Sequence, residues 1–375
     1  MSRNLFAIMA ITTMFLSCKN EKQDGYSIKG TIDASANGKK VLLVKNERMQ
    51  KITVDSTTVQ DGKILMQGKV ESPDFYLVTI DGLNMGLPLV VENTEMDIEF
   101  YKDSLPKSKV TGSKENDLLG EFRLNSEPAR KVNAELGQKY AIAQQKQDTI
   151  TMDQVKATYD SVIAIMNEKN IKLVKENTDL VTSMAFLDNL SSSGVVKTNE
   201  AKSIFDSFTK EVKESRVGKE VGEKIEAAMV TAEGSMAPDF SAPTPAGDTL
   251  ALKDVMGKVT IIDFWAAWCG PCRKENPHVV EIYNKYHEQG LEIIGVSLDG
   301  TPRQKDAKQE WLDAIEKDGL TWHQVSNLSY FNDPIAKQYN IQAIPATFVL
   351  DSEGKIVAKN LRGDELDKKV AELLQ

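Results

Sequence analysis

The chain has 375 residues, a formal net charge of -9, and a composition that is 41% hydrophobic and 27% charged, which suits a folded globular protein of two or three domains. The acidic balance and the absence of any long lysine and arginine run argue against nucleic acid as a partner, because phosphate binding needs a basic patch. The cysteines are Cys18, Cys269 and Cys272 only; this is too few for a disulfide-stapled scaffold, so stability must come from packed cores.

Arg3 gives the chain a short positive start, and Leu5 to Leu16 is apolar apart from two threonines. That run is too short to span a bilayer comfortably and fits the apolar core of a secretory signal peptide. Phe15-Leu16-Ser17-Cys18 then gives way to the polar stretch from Lys19 to Gly25. The arrangement resembles a bacterial lipoprotein signal, with Phe15 where leucine is commoner. The resemblance implies a signal peptide over residues 1–17, cleavage before Cys18, a lipid on that cysteine, and a tether over residues 18–25. A lipid holds a protein to a membrane without a spanning helix. It also leaves Cys269 and Cys272 with only each other as partners within the chain.

Residues 26–112 are expected to be β-rich. Tyr26 to Ile32 and Phe75 to Ile80 are strand-like runs bounded by the turn signals Asn37-Gly38, Asp61-Gly62 and Asp81-Gly82. Val41 to Val44 reads as a buried strand, and Met96 to Phe100 alternates like a half-buried one. Together they predict a small sandwich or barrel. Over residues 113–232 glycine becomes sparse and the pattern turns helical. Val155, Tyr159, Val162, Ile163 and Met166 recur at helical spacing, as do Ile204, Phe205, Phe208 and Val212, and these stripes are read as core. Lys210 with Glu214 and Glu220 with Lys224 are opposite charges four apart.

Residues 233–375 alternate strands and helices. Val259 to Trp265 reads as a buried strand, Cys269 to Tyr286 as a helix, and Leu291 to Leu298 as the next strand. A helix near Gln304 to Lys317, a segment over Leu320 to Val325, a hairpin of Thr347 to Asp351 with Lys355 to Ala358, and a closing helix over Asp364 to Leu374 complete it. The fold class is therefore multidomain: an α/β C-terminal domain preceded by a β-rich, sandwich-like domain and a helical segment.

The chemistry lies in Trp265-Ala266-Ala267-Trp268-Cys269-Gly270-Pro271-Cys272. A cysteine at a helix start meets unsatisfied N–H groups and the positive end of the dipole, which favour its thiolate. Cys272 lies about one turn deeper on the same face. Cys269 is thus the attacking thiol and Cys272 the resolving one. A zinc site would want a second cysteine pair or two histidines at ligand spacing, and only His278 is near, so no metal is expected. Haem attachment needs histidine directly after the second cysteine, where Arg273 stands. A structural disulfide closing so short a loop would stabilise little. Asp263 is six residues before Cys269 on the buried strand, where a carboxylate is costly without a role or partners. Trp268 offers an apolar face beside Cys269, and Trp265 is assigned to the core. Glu275 is read as a solvated helix residue.

The run Asp263-Phe264-Trp265 to Cys272 is similar to the active-site segment of thioredoxins. Arg273 to Pro277, the insertion carrying Trp311 and Trp322, and Ala237-Pro238-Asp239-Phe240 look like the membrane-anchored TlpA/ResA-like branch. The resemblance covers about residues 236–375. It implies a thioredoxin fold, a redox-active Cys269–Cys272 disulfide with no other cofactor, and Asp263 as proton acceptor for Cys272. It also implies a cis Pro345 beside the pair, and an Ile344 backbone that pairs with substrate next to Trp268, Gly270 and Pro271. The Gly270-Pro271 dipeptide resembles that of reducing thioredoxins, so a reductase is expected. A lipid-anchored, periplasm-facing reductase in the cell envelope would act on envelope proteins with disulfides, apocytochromes c among them in cytochrome c maturation. It would draw electrons from a membrane donor of the CcdA or DsbD kind.

Three rivals stand beside this. An oxidase or isomerase uses the same fold. A substrate-binding lipoprotein would carry redox activity secondarily. A thiol peroxidase of the peroxiredoxin type would have threonine and proline where Ala266 and Ile262 stand, and is discounted.

Overall fold

The computed structural model describes residues 24–47, 50–82, 86–101 and 107–375. The signal run and Cys18 lie outside the described residues. The chain divides into two compact units after Glu127.

The first unit holds β1 (Tyr26–Ile32), β2 (Lys40–Glu47), β3 (Gln50–Thr58), β4 (Lys63–Gly68), β5 (Asp74–Ile80), β6 (Leu87–Val91), β7 (Glu95–Phe100), β8 (Lys109–Thr111) and α1 (Lys114–Asn125). Two four-stranded sheets form, ordered β4-β1-β7-β8 and β3-β2-β5-β6. All pairings are antiparallel except β1 with β7. In β7, Met96, Ile98 and Phe100 are buried while Glu95, Asp97 and Glu99 are exposed, the period of two expected of a sheet with one wet face. Ile28, Leu43, Val78, Leu89, Met96 and Ile98 share the core of this sandwich. The helical segment expected over residues 113–232 is split by the fold. Ser113 caps α1, and buried Asn116 pairs with the Val90 backbone in both directions, at 2.9 and 2.7 Å, so α1 packs on the sandwich.

The second unit opens with α2 (Glu127–Gln145), α3 (Thr149–Glu176), α4 (Val181–Ser192), α5 (Thr198–Ser207), α6 (Lys210–Glu214) and α7 (Arg216–Met229). Helix α7 packs on α4, α5 and α6, burying Ile204, Phe208, Val212, Val221 and Ile225. The α3 stripe departs from its expectation. Val155 is buried, but Tyr159 remains 38% exposed, because a helical period marks a face without saying that a neighbour covers it. Lys210 does pair with Glu214 at 3.6 Å. Lys224 instead reaches Asp188 across to α4 at 2.6 Å, and Glu220 takes Arg216 at 2.8 Å.

Beyond a linker over residues 230–240 come β9 (Ser241–Pro243), β10 (Thr249–Ala251), β11 (Val259–Trp265), α8 (Gly270–Tyr286), β12 (Leu291–Ser297), α9 (Ala307–Asp318), β13 (His323–Val325), α10 (Pro334–Gln338), β14 (Ala346–Leu350), β15 (Ile356–Lys359) and α11 (Gly363–Leu373). The main sheet runs β13-β12-β11-β14-β15. Strands β11, β12 and β13 are parallel, and β14 and β15 antiparallel to their neighbours. This is the thioredoxin fold. Central β11 is buried along its whole length and sends alternate residues to two cores. Val259, Ile261 and Trp265 join α8, α9 and α11 on one face; Ile262 and Phe264 join Tyr339 and Phe348 on the other. Asp263 therefore projects to the α8 face. The linker covers the start of the outer edge of β15: Gly234 donates to Ile356 O at 2.7 Å, Ile356 to Ser235 O at 2.9 Å, and Ala237 to Gly354 O, in the turn before the strand, at 2.8 Å.

Candidate active site

The site is built where β11 hands over to α8. At the end of β11 the Trp265 indole donates to Gln324 Oε1 at 3.0 Å inside the core. Gly295 on β12 makes room for that amide, since a Cβ there would lie 2.3 Å from Gln324 Oε1. The following turn is held by Asp299, which is fully buried. Its Oδ2 accepts from Ala267 N at 3.0 Å and from Ser297 Oγ at 2.6 Å, and its Oδ1 from Gln304 Nε2 at 2.6 Å. Arg273 pins the same turn by donating to Ala267 O at 3.2 Å while its other nitrogens bind the Asp318 carboxylate, one at 2.7 Å.

Cys269 is the N-cap of α8, and its Sγ accepts from Cys272 N at 3.2 Å. Pro271 occupies the first turn, where a missing N–H costs nothing. Pro277, further along, interrupts the α8 ladder. Cys269 and Cys272 are joined in a disulfide with S–S 2.06 Å and Cα–Cα 5.3 Å. They are 3% and 1% exposed. Gly270 and Pro271 stand out in solvent, and so does Trp268, at 37%. Cys269 and Cys272 thus differ little in residue burial; what distinguishes them is position, one at the helix cap and one facing inward.

Beneath the pair lies Asp263, buried, with no hydrogen bond to its carboxyl among the described residues. Burial, and then the Glu275 carboxylate, push its pKa up to about 7, while the Arg362 charge pulls it down. A cavity of about 10 Å³, close to the space of one water, is bounded by Asp263, Cys272, Glu275, Pro345 and Arg362. Glu275 is not the solvated residue expected: its Oε1 accepts from Gly363 N at 2.8 Å, tying α8 to α11. The Ile344–Pro345 peptide bond is cis. Arg362 donates to Pro345 O at 2.6 Å. The Ile344 backbone makes no hydrogen bond among the described residues.

An aromatic group flanks the disulfide. Trp268 donates its indole N–H to Leu298 O at 3.1 Å, and its ring centroid lies 5.3 Å from that of Tyr330 and 6.4 Å from that of Phe331. Tyr330 holds φ 52°, a left-handed conformation uncommon for so bulky a residue, fixed by its N–H donating to Asp299 O at 3.0 Å.

The fold brings Asp263, Cys269, Cys272 and Pro345 into one locus, with Trp268, Gly270, Pro271 and Ile344 around it. Arg362, Asp299 and Tyr330 were not foreseen. They come from loops remote in sequence, and only the polar run after β15 and the Leu298-Asp299-Gly300 strand end hint at them. Among the described residues no helix is long and apolar enough to cross a membrane.

Residues 234–359 match the AhpC/TSA family, and residues 26–119 match a domain of unknown function, DUF4369. The thiol-disulfide oxidoreductase ResA of Bacillus thuringiensis subsp. konkukian is 32% identical over 149 residues, covering 38% of this chain and 76% of the relative. ResA of Geobacillus kaustophilus is 35% identical over 125 residues, covering 33% of this chain and 67% of the relative. Among solved structures, the thioredoxin domain of a thiol-disulfide oxidoreductase from Bacteroides vulgatus is 38% identical, covering 38% of this chain and 99% of that one, with a TM-score of 0.35.

Proposed function

The chain belongs to the family of ResA-like thiol–disulfide oxidoreductases, and from that premise we propose that it works as a lipid-anchored reductase of disulfides in envelope proteins. The observation that carries this reading is the Cys269–Cys272 pair at the cap of α8 with the Asp263 carboxyl buried beneath it.

In the reduced enzyme, the Cys269 thiolate, favoured by the N-terminal end of α8, attacks one sulfur of the substrate disulfide. A Cys269–substrate mixed disulfide forms and the other substrate sulfur leaves as a thiolate. Cys272 then gives its proton to Asp263, directly or through one water in the small cavity, and attacks the Cys269 sulfur. The second substrate thiolate departs and the enzyme disulfide closes. The two electrons of the enzyme dithiol have reduced the substrate to two thiols. A carboxyl with a pKa of about 7 is suited to this transfer, since it can both accept and release a proton near neutrality. Trp268 supplies an apolar face to substrate beside Cys269, Gly270 and Pro271 leave the approach open, and the Ile344 backbone pairs with the substrate strand next to Pro345.

The anchor is the lipid on Cys18, which places the enzyme at a membrane of the cell envelope, facing the periplasm. Re-reduction falls to a membrane electron donor of the CcdA or DsbD kind, and substrates are envelope proteins with disulfides, apocytochromes c among them. The redox pair needs no further cofactor.

The test is the reduction potential of the Cys269–Cys272 pair, obtained by equilibration in thiol–disulfide buffers. A value near thioredoxin's, about -270 mV, is expected. A value near about -120 mV, that of a strong oxidant, would overturn the reductase assignment. Mass spectrometry of the membrane-extracted protein should find an acylated N-terminal Cys18; an unmodified residue there would remove the anchor.

A further inference from the structure

A second groove, of about 850 Å³, opens beside the same loop that carries Pro345. One wall is that loop with strands β14 and β15. The other is the turn between α4 and α5, from Gly194 to Thr198. Pro345 and Arg362 line both this groove and the cavity beneath Cys272, so the groove adjoins the loop beside the reactive pair. The helical wall is no part of the thioredoxin fold, yet it is fixed to it. Lys197 pairs with Glu233 at 3.1 Å, and Asn199 Nδ2 donates to Glu233 O at 2.9 Å, at the start of the linker that edges β15.

The charges in this groove do not cancel. Lys197 is matched by Glu233, and Glu200 by Lys175 at 2.8 Å. Lys359 and Arg362 have no carboxylate within ion-pair distance among the described residues. Lys359 is half-buried and its Nζ sits 5.1 Å from the centre of the Phe348 ring. Glu233 acts on it only at longer range, against the cost of burial. An ammonium held in this way is poorly solvated, and an incoming carboxylate offsets that cost.

We propose that this groove takes an extended segment of the substrate polypeptide flanking its cysteine, and that Lys359 holds an acidic side chain of that segment. The helical segment then acts as a specificity wall for the redox site. The proposal rests on the oxidoreductase reading above. It assigns a preference for acidic residues near the target disulfide to a surface outside the cysteine pair.

The test uses the reduced full chain and an excess of disulfide-linked peptides in single turnover, following the released peptide thiol. A peptide with one central cysteine is made with glutamate, and then with lysine, at each of the three positions on either side. At one or more positions glutamate should lower the half-saturating concentration about fivefold relative to lysine, the scale of a partly exposed ion pair. In Lys359→Met that preference should vanish. In Lys359→Arg, which keeps the charge and controls for folding, it should persist. No position favouring glutamate, or a preference that survives Lys359→Met, overturns the assignment while leaving the enzyme's activity intact. If no peptide disulfide is reduced at all, the oxidoreductase reading falls first, and this proposal with it.

Discussion

Arg362 donates a 2.6 Å hydrogen bond to the carbonyl oxygen of Pro345, and the same guanidinium is the charge that pulls Asp263 down. One side chain therefore ties the loop that carries Pro345 to the acid beneath the cysteines. Replacing it with methionine removes the opposing influence and leaves burial and Glu275 unanswered. In Arg362→Met the Asp263 midpoint should move above about 7. Carboxyl carbon NMR of the titrating side chain reads this directly. An unchanged or lower midpoint would show that Arg362 and Asp263 are not coupled.

Glu275→Gln works the other way. Glutamine keeps an oxygen to accept from Gly363 N, a contact of 2.8 Å in the native protein, but it loses the negative charge that helps raise Asp263. The midpoint should fall below about 7, and the pH profile of mixed-disulfide resolution should shift to lower pH with it. A rate loss with no shift in the profile would make Glu275 a structural tie between α8 and α11 and nothing more.

Stability should carry the same signature. Asp263 is raised from 3.8 to about 7, so the folded chain keeps a proton that the unfolded chain releases. The group's contribution is fully present below 3.8 and is lost as pH rises through about 7. In Asp263→Asn nothing titrates there. The oxidised variant should exceed the oxidised native chain by up to about 4 kcal/mol at about pH 9, and the difference should shrink towards about pH 4. Urea unfolding at several pH values tests this, and a difference that does not vary with pH contradicts it.

Gly295→Ala drives a methyl group into the buried Gln324 amide, 2.3 Å from its Oε1, and threatens the 3.0 Å bond from Trp265. Overpacking of this kind costs about 1–3 kcal/mol. Thermal unfolding should show the loss, with a change in tryptophan emission as Trp265 loses its acceptor. A variant as stable as the native chain would mean that Gln324 moves aside freely.

The parts of the site read from sequence are those whose logic is local. Cys269 and Cys272 announce themselves by spacing and by the strand before and helix after them. Asp263 is exposed as anomalous by standing in a strand that is otherwise apolar. What stayed hidden depends on chain closure. Glu275 looks like any polar helix residue until Gly363 arrives beside it, and Arg362 means nothing until β15 and α11 bring it to Pro345. Asp299 and Tyr330 meet only through a loop conformation with positive φ that no periodicity encodes. Among the helices, Tyr159 and Val155 belong to one apolar stripe, yet only Val155 is covered, because the pattern cannot say whether a neighbour is present. Lys224 could be paired by spacing with Glu220, but tertiary packing offered Asp188 instead.

The backbone bonds from Gly234, Ser235 and Ala237 to β15 carry a further consequence. A terminal strand with bare N–H and C=O groups is a template on which another chain can add, and such edges promote aggregation. Here the residues leaving α7 fill those positions, so the linker is also a guard against edge-to-edge association. A C-terminal fragment cut to begin at Pro238 would leave the Gly354 carbonyl and the backbone groups of Ile356 without these partners. A fragment beginning a few residues earlier, at Ala232, would keep these bonds.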